Sequence, residues 1–321
     1  MARRPARNQL DPLRPYAFLV EQERAESGEV VPVGTILLTN HECPWRCLMC
    51  DLWRNTLAGP TPAGAIPAQI DYALARLPAA RQLKLYNSGS FFDRAAIPLG
   101  DYPAIAERAG RFERVVVESH PALVGEDCLR WRDLLGASTT LEVAMGLETV
   151  HPEILPRLNK RMTLEQFARA AEFLRGNQIA LRVFILVKPP FLDEDEALHW
   201  AKRSLDFAFD YGATAASLIP TRLGNGALEA LAARDEFSSP ELLTLENAAE
   251  YGVSLGRGRV FADLWDLEKF SECAECFPGR LTRLREMNFT QTVPSLIECG
   301  SCRRDSHSPR KGEGLPYCPN Q

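Results

Sequence analysis

From Gly34 onward the chain alternates short apolar runs with longer stretches in which apolar positions recur every third or fourth residue. The short runs, at 33–39, 82–86, 114–118, 139–146, 181–187 and 214–219, read as strands. The longer stretches predict helices near 66–77, 101–110, 124–135, 163–176, 194–210 and 239–251. Thr163, with Gln166 three residues on, has the pattern of a capping box at the start of one of them. Strand-then-helix units recurring at roughly 30–40 residues imply a parallel sheet joined by right-handed crossovers. Six such units rather than eight point to an α/β fold, a partial (β/α)6 TIM-like barrel. Residues 1–30 are polar, rich in Pro and Arg and without apolar periodicity, and read as an arm packed over the barrel. The barrel then occupies 31–259. From Val260 the composition changes, and 260–321 reads as a small cysteine-rich module.

In parallel α/β architectures, functional residues gather on the loops that follow the C-terminal ends of the strands. After the first strand comes His41-Glu42-Cys43-Pro44-Trp45-Arg46-Cys47-Leu48-Met49-Cys50, with cysteines spaced C-x3-C-x2-C. Three thiolates in one loop can each take an iron of a [4Fe–4S] cube and leave the fourth iron open for chemistry. The competing reading is a structural zinc site closed by the same cysteines with His41. The second strand ends in Tyr86-Asn87-Ser88-Gly89-Ser90, either a polar cradle or a plain turn in which Gly89 supplies positive φ. The third ends with Glu118 near His120, a carboxylate and an imidazole able to bind or move a proton. Glu148, at the end of the fourth, is placed to accept hydrogen bonds from a ribose diol. Lys188, ending the fifth before Pro189 and Pro190, either neutralises an anion at the barrel mouth or is a solvated strand-end lysine.

Cysteine usage sharpens this picture. Of nine cysteines, seven fall in motifs: the triplet, Cys273/Cys276 and Cys299/Cys302. That is metal usage in a reducing compartment, not a disulfide framework. The two C-terminal CxxC knuckles read as a four-thiolate site for zinc or for an auxiliary [4Fe–4S] cluster. Cys318 is an extra ligand or a free tail thiol, and Cys128 a small buried residue. A net charge of −5 gives no global reason for a polyanion partner. Arg280, Arg283, Arg285, Arg303, Arg304, Arg310 and Lys311 nevertheless cluster around the knuckles, as a local phosphate-binding surface or a partly paired solvated face. No signal peptide and no run of 18 apolar residues is present, so a cytoplasmic protein with no membrane partner is expected.

The C-x3-C-x2-C loop after the first strand resembles the signature of the radical S-adenosylmethionine (SAM) enzymes, with Met49 where that family often carries an aromatic residue. The resemblance implies that Cys43, Cys47 and Cys50 hold a [4Fe–4S] cluster whose open iron chelates SAM. One electron, from a donor such as flavodoxin or ferredoxin, then splits SAM into methionine and a 5′-deoxyadenosyl radical. It further implies that Asn87, Ser88, Gly89 and Ser90 approach the methionine end, Glu148 the ribose and Lys188 the SAM carboxylate. Segments 87–93, 116–119, 146–160 and 188–192 are similar to the subgroup that contains the archaeosine synthase radical SAM subunit. That likeness spans roughly residues 35–225. The member named acts on a lysine-bearing deazaguanine in tRNA, so a modified tRNA base is one substrate the resemblance implies, beside a small molecule or peptide. A reading of another class remains: a non-catalytic metal-binding protein whose basic tail docks RNA or a partner.

Overall fold

A computed structural model of the chain describes residues 6–305. In chain order the strands are β1 (Ala17–Arg24), β2 (Val30–Leu37), β3 (Asn40–His41), β4 (Thr56–Leu57), β5 (Gln82–Tyr86), β6 (Arg114–Ser119), β7 (Thr140–Glu148), β8 (Ala180–Val187), β9 (Ala215–Pro220) and β10 (Arg259–Ala262). The α-helices are α1 (Ala65–Leu74), α2 (Tyr102–Ala109), α3 (Glu126–Leu135), α4 (Ile154–Arg157), α5 (Leu164–Gly176), α6 (Glu194–Asp210), α7 (Ala227–Ala232), α8 (Leu242–Ser254), α9 (Phe277–Thr290) and α10 (Gly300–Asp305). All six expected strands form, and the capping box at Thr163 and Gln166 starts α5 as expected.

Eight strands make the main sheet, in the order β1-β2-β5-β6-β7-β8-β9-β10, curled into a half-barrel. Every neighbouring pair is parallel except β1 with β2, which is antiparallel. Two strands therefore exceed the six expected. The segment read as an arm contains β1, and a boundary at 260 would cut through β10, which pairs with β9. Among the described residues no helix is long and apolar enough to cross a membrane. Cys318, Arg310 and Lys311 lie outside the described residues.

Successive residues of a strand face opposite sides of the sheet. One side carries Leu83, Leu85, Val115, Val117, Val143, Met145, Val183 and Ile185, which join Trp131 of α3 and Phe167 of α5 in the main hydrophobic core. Cys128 is buried in that core, as expected. The alternate positions, lining the concave side, are charged near the strand starts. Lys84, Arg114, Glu142, Arg182 and Arg259 are all buried there, with Glu23 of β1. Arg182 donates to Glu23 (2.6 Å) and Glu142 (2.6 Å), Arg114 and Arg259 donate to Glu142 (2.8 and 3.0 Å), and Lys84 donates to Glu23 (2.5 Å). Burial opposes the charge on Glu142, but Arg182, Arg259 and Arg114 outweigh it and hold its carboxyl down to about 2. Buried ions survive only when paired in this way. Because Glu23 lies on β1 and Arg259 on β10, the network ties the two edges of the open sheet across its interior.

The exposed hydrogen-bonding edge of β10 is covered by two side-chain amides of α9. Asn288 accepts from Ala262 N–H (2.8 Å) and donates to Ala262 C=O (2.9 Å). Gln291 does the same for Val260, at 2.6 and 2.8 Å. Amides that copy a strand's donor–acceptor pattern remove an edge that would otherwise invite further pairing.

Candidate active site at the barrel mouth

The cysteine loop, 43–50, leaves β2 through β3 and is pinned from two other connections. Leu48 N–H donates to Leu158 C=O (2.8 Å), and Asn159 Nδ2 donates to Arg46 C=O (2.7 Å). From the loop after β9, Asn225 Nδ2 donates to Leu48 C=O (2.8 Å). Trp45 stacks on His120 with ring centroids 3.8 Å apart and planes within 8°. His120 accepts at Nδ1 from Ala122 N–H, which places its proton on Nε2, 3.1 Å from Lys160 C=O. Burial, then the nearby Lys160 charge, lowers its pKa to about 4, so it is a neutral structural imidazole. Met49 packs among Leu158, Leu186 and Leu192 on one side and Leu228 and Leu231 on the other.

Burial pushes the thiol of Cys43 up to about 11 and that of Cys50 up to about 12, and the neighbouring Cys47 adds to both. Three thiolates crowded into such a pocket need a cationic centre to balance them, which is the chemistry a thiolate-ligated iron cluster supplies. Among the described residues, only the four C-terminal cysteines bring their sulfurs within 4.8 Å of one another. His41 Nδ1 is hydrogen-bonded to Gly59 C=O (2.9 Å). Three thiolates in one buried loop fit the corners of an iron–sulfur cube.

Around the loop the strand ends supply unpaired polar groups. Both amide atoms of Asn87 are buried without a hydrogen-bond partner, as are Thr39 Oγ1 and Asn40 Oδ1, while Ser88 lies within hydrogen-bonding reach of the Tyr16 hydroxyl. Each such atom costs about 1–3 kcal/mol unless a ligand completes it. The residues present therefore fit a polar ligand such as the methionine end of SAM. Gly89 lets its backbone lie against the cysteine loop, since a Cβ there would sit 3.1 Å from Cys43 Cβ. Ser90 is committed elsewhere, its Oγ 3.1 Å from Ser119 Oγ. Ser88, Glu148 and Lys188 hold left-handed φ values of 48°, 65° and 54° as their strands end, a local strain often found at functional sites.

Glu148 is buried and paired with Lys160, Nζ to Oε1 2.6 Å. Gly146 is needed beneath the pair, because a Cβ there would overlap Glu148 Oε1 and lie 2.5 Å from Lys160 Nζ. Burial works against the charge on Lys160, but Glu148, Cys47 and Cys43 outweigh it and raise its pKa. Lys188 is buried too, yet its ammonium is spent on Glu194 at the start of α6 (2.5 Å) and on Ser238 in the connection before α8 (2.8 Å). It is neither the solvated lysine nor the free cation expected from sequence. The cation beside the cysteines is Lys160, signalled in the sequence only as part of an Asn-Lys pair. Glu118, noted from the sequence beside His120, and Tyr16, not noted there, also line this region. Glu118 accepts from Asn87 N–H (3.0 Å), and burial pushes its carboxyl up to about 7. Tyr16, just before β1, is raised to about 12 by burial, with Glu118, Asp51 and Cys50 among the groups around it.

The second cysteine group closes tightly, with Cys273 Sγ to Cys299 Sγ at 3.8 Å and Cys276 Sγ to Cys302 Sγ at 3.6 Å. A hydrogen bond from Cys276 N–H lowers the pKa of Cys273 to about 7. Two of the arginines near it are paired rather than open, and the side chains of Arg303, Arg304, Arg310 and Lys311 lie outside the described residues. Arg280 is paired with Glu246 (2.6 Å), and Arg283 is buried against Glu250 (2.7 Å) while donating to Pro294 and Ser295 carbonyls. Arg285 is exposed.

No family model matches the chain. It is 26% identical over 221 residues to archaeosine synthase subunit beta of Methanosarcina acetivorans, covering 66% of this chain and 64% of that one. It is 29% identical over 165 residues to archaeosine synthase subunit beta of Thermococcus kodakarensis, covering 50% and 51%. The chain thus spans between half and two thirds of the length of these relatives. Among solved structures, SuiB of Streptococcus suis, a radical SAM enzyme seen with its precursor peptide SuiA, superposes with a TM-score of 0.52 at 11% identity, over 70% of this chain and 47% of that one. A half-barrel with a C-x3-C-x2-C loop at its mouth thus has the fold of SuiB, in a chain similar to the archaeosine synthase beta subunits.

Proposed function

We propose that the chain holds a [4Fe–4S] cluster on Cys43, Cys47 and Cys50 and SAM beside it, and abstracts hydrogen from a modified base in tRNA. The observation that carries the reading is the meeting of the three-cysteine loop with the unpartnered buried amide of Asn87 at a strand end. When bound, the cluster supplies the electron that reductively cleaves SAM. Asn87 and Ser88 offer amide and hydroxyl partners to the methionine end. Glu148, held by its 2.6 Å contact with Lys160, offers an acceptor to the ribose hydroxyls. Burial at the mouth keeps water from a reactive radical, which attacks whatever is nearest. The tRNA substrate, a companion subunit and a flavodoxin or ferredoxin donor are supported by likeness to chains named as archaeosine synthase beta subunits.

The test is anaerobic incubation of reconstituted protein with SAM and dithionite, following 5′-deoxyadenosine by chromatography. Wild type should form it, and Cys43→Ala, Cys47→Ala and Cys50→Ala should each abolish it, because two thiolates cannot hold the cube with one iron open. Wild-type turnover in all three variants would sink the cluster assignment. Product formation stimulated by tRNA, and not by unrelated polyanion, is expected if a tRNA base is the substrate.

A further inference from the structure

The sulfur spacing of the C-terminal group distinguishes the two kinds of centre that four thiolates can hold. Around one tetrahedral ion with metal–sulfur bonds of about 2.3 Å, sulfurs sit about 3.8 Å apart. Around a [4Fe–4S] cube each thiolate caps a different iron, and the sulfurs are spread to roughly 6 Å. Here all four lie within 4.8 Å of one another, and the two spacings across the group are 3.8 and 3.6 Å. A cube does not fit between them, whereas one ion does. Between ions of that size and charge, this sulfur set binds zinc more tightly than ferrous iron.

The ligands come from two separate pieces of chain. Cys276 is the N-cap of α9, preceded by Cys273, whereas Cys299 and Cys302 flank the start of α10. The connection between α9 and α10 has little apolar anchorage: Leu296 is 64% exposed and Val293 42%. Its main tether is Arg283, which donates to the carbonyls of Pro294 and Ser295. Arg280, on the first turn of α9, bonds Glu246 of α8 and faces the Cys276 sulfur, so the same guanidinium joins the thiolates to the barrel. Farther along α9, Asn288 and Gln291 cap the open edge of β10.

We infer that Cys273, Cys276, Cys299 and Cys302 hold a single zinc ion, and that this ion clamps α9 over the free edge of the half-barrel. Leu284 and Met287 anchor the middle of α9 in the core, but the connection that brings Cys299 and Cys302 to it buries little apolar surface, and a structural metal supplies the missing free energy. The chain then carries one iron–sulfur centre, not two.

Metal content decides the matter on the full chain. The triple variant Cys43→Ser/Cys47→Ser/Cys50→Ser, purified anaerobically, should be colourless and contain one zinc per chain, and adding Cys276→Ser should remove it. Iron and sulfide in cluster amounts in the triple variant, or one iron with no zinc, would overturn the inference. Should the quadruple variant fail to fold, zinc-edge X-ray absorption of the wild-type protein still answers. Four sulfur neighbours are expected, and nitrogen or oxygen in the shell, or no zinc, refutes it. The clamp has its own readout: stripping zinc with a chelator should speed hydrogen exchange at the β10 amides of Val260 and Ala262. Unchanged exchange after zinc loss would leave the ion without the clamping role.

Discussion

Lys160→Met probes the centre of the mouth without touching a cysteine. The change keeps an unbranched apolar stem of similar length and removes only the ammonium 2.6 Å from Glu148 Oε1. Both side chains are about nine-tenths buried, at 11% and 9% exposure, so little solvent replaces the lost partner. Breaking a buried pair by deleting one member costs about 3–5 kcal/mol, because the survivor is left as an uncompensated charge. With unfolding entropy near 2.1 cal/mol/K per residue, the chain's 321 residues convert that cost into a melting temperature lower by about 4–7 °C. Calorimetry on the reconstituted protein measures it. The double variant Lys160→Met/Glu148→Gln should recover most of the loss, since a neutral pair of similar shape leaves no orphan charge. A single variant that melts within about 1 °C of wild type would refute the reasoning. So would a double variant no more stable than the single. SAM affinity should weaken in the double variant and not be rescued with stability, because a glutamine offers the ribose diol one uncharged acceptor oxygen in place of a carboxylate.

Two groups at the mouth titrate with opposite signs. Glu118 is raised from 4.5 to about 7 in the fold, so it favours folding at low pH and loses that contribution as pH climbs through 7. His120 is lowered from 6.5 to about 4, so its contribution is present above 6.5 and is lost as pH falls toward 4. Between 4.5 and 6.5 the two oppose each other, and Glu118→Gln should make the melting temperature fall more steeply on acidification than in wild type; a slope no steeper would show that Glu118 does not titrate there. Asn288→Leu leaves the N–H and C=O of Ala262 unpaired at the sheet edge and should cost about 1–3 kcal/mol, with increased aggregation on heating; a neutral result in chemical denaturation would mean water satisfies that edge.

The alternation of apolar runs and amphipathic stretches was enough to place six strands, the helices between them and the loop that carries Cys43, Cys47 and Cys50, because secondary structure follows local period and capping. What escaped was whatever depends on the inside of the barrel being polar. β1 ends in the polar run Glu21-Gln22-Glu23-Arg24 within a Pro- and Arg-rich segment, and by itself this reads as an arm. Only the closed fold brings Arg182, 159 positions away, within 2.6 Å of Glu23 and makes the carboxylate an interior residue. Lys160 and Lys188 look alike in the sequence, each a lysine in a connection after a strand. Their roles were settled by which carboxylate lay in reach, Glu148 at the mouth for one and Glu194 on α6 for the other. Arg283 and Arg285 are equally basic on paper, yet helix rotation buries the first and exposes the second. The cysteine spacings announced two metal sites, since ligands near in sequence stay near in space. The distance between sulfurs, which separates one ion from a cube, is set by how α9 and α10 pack, and that no local pattern encodes.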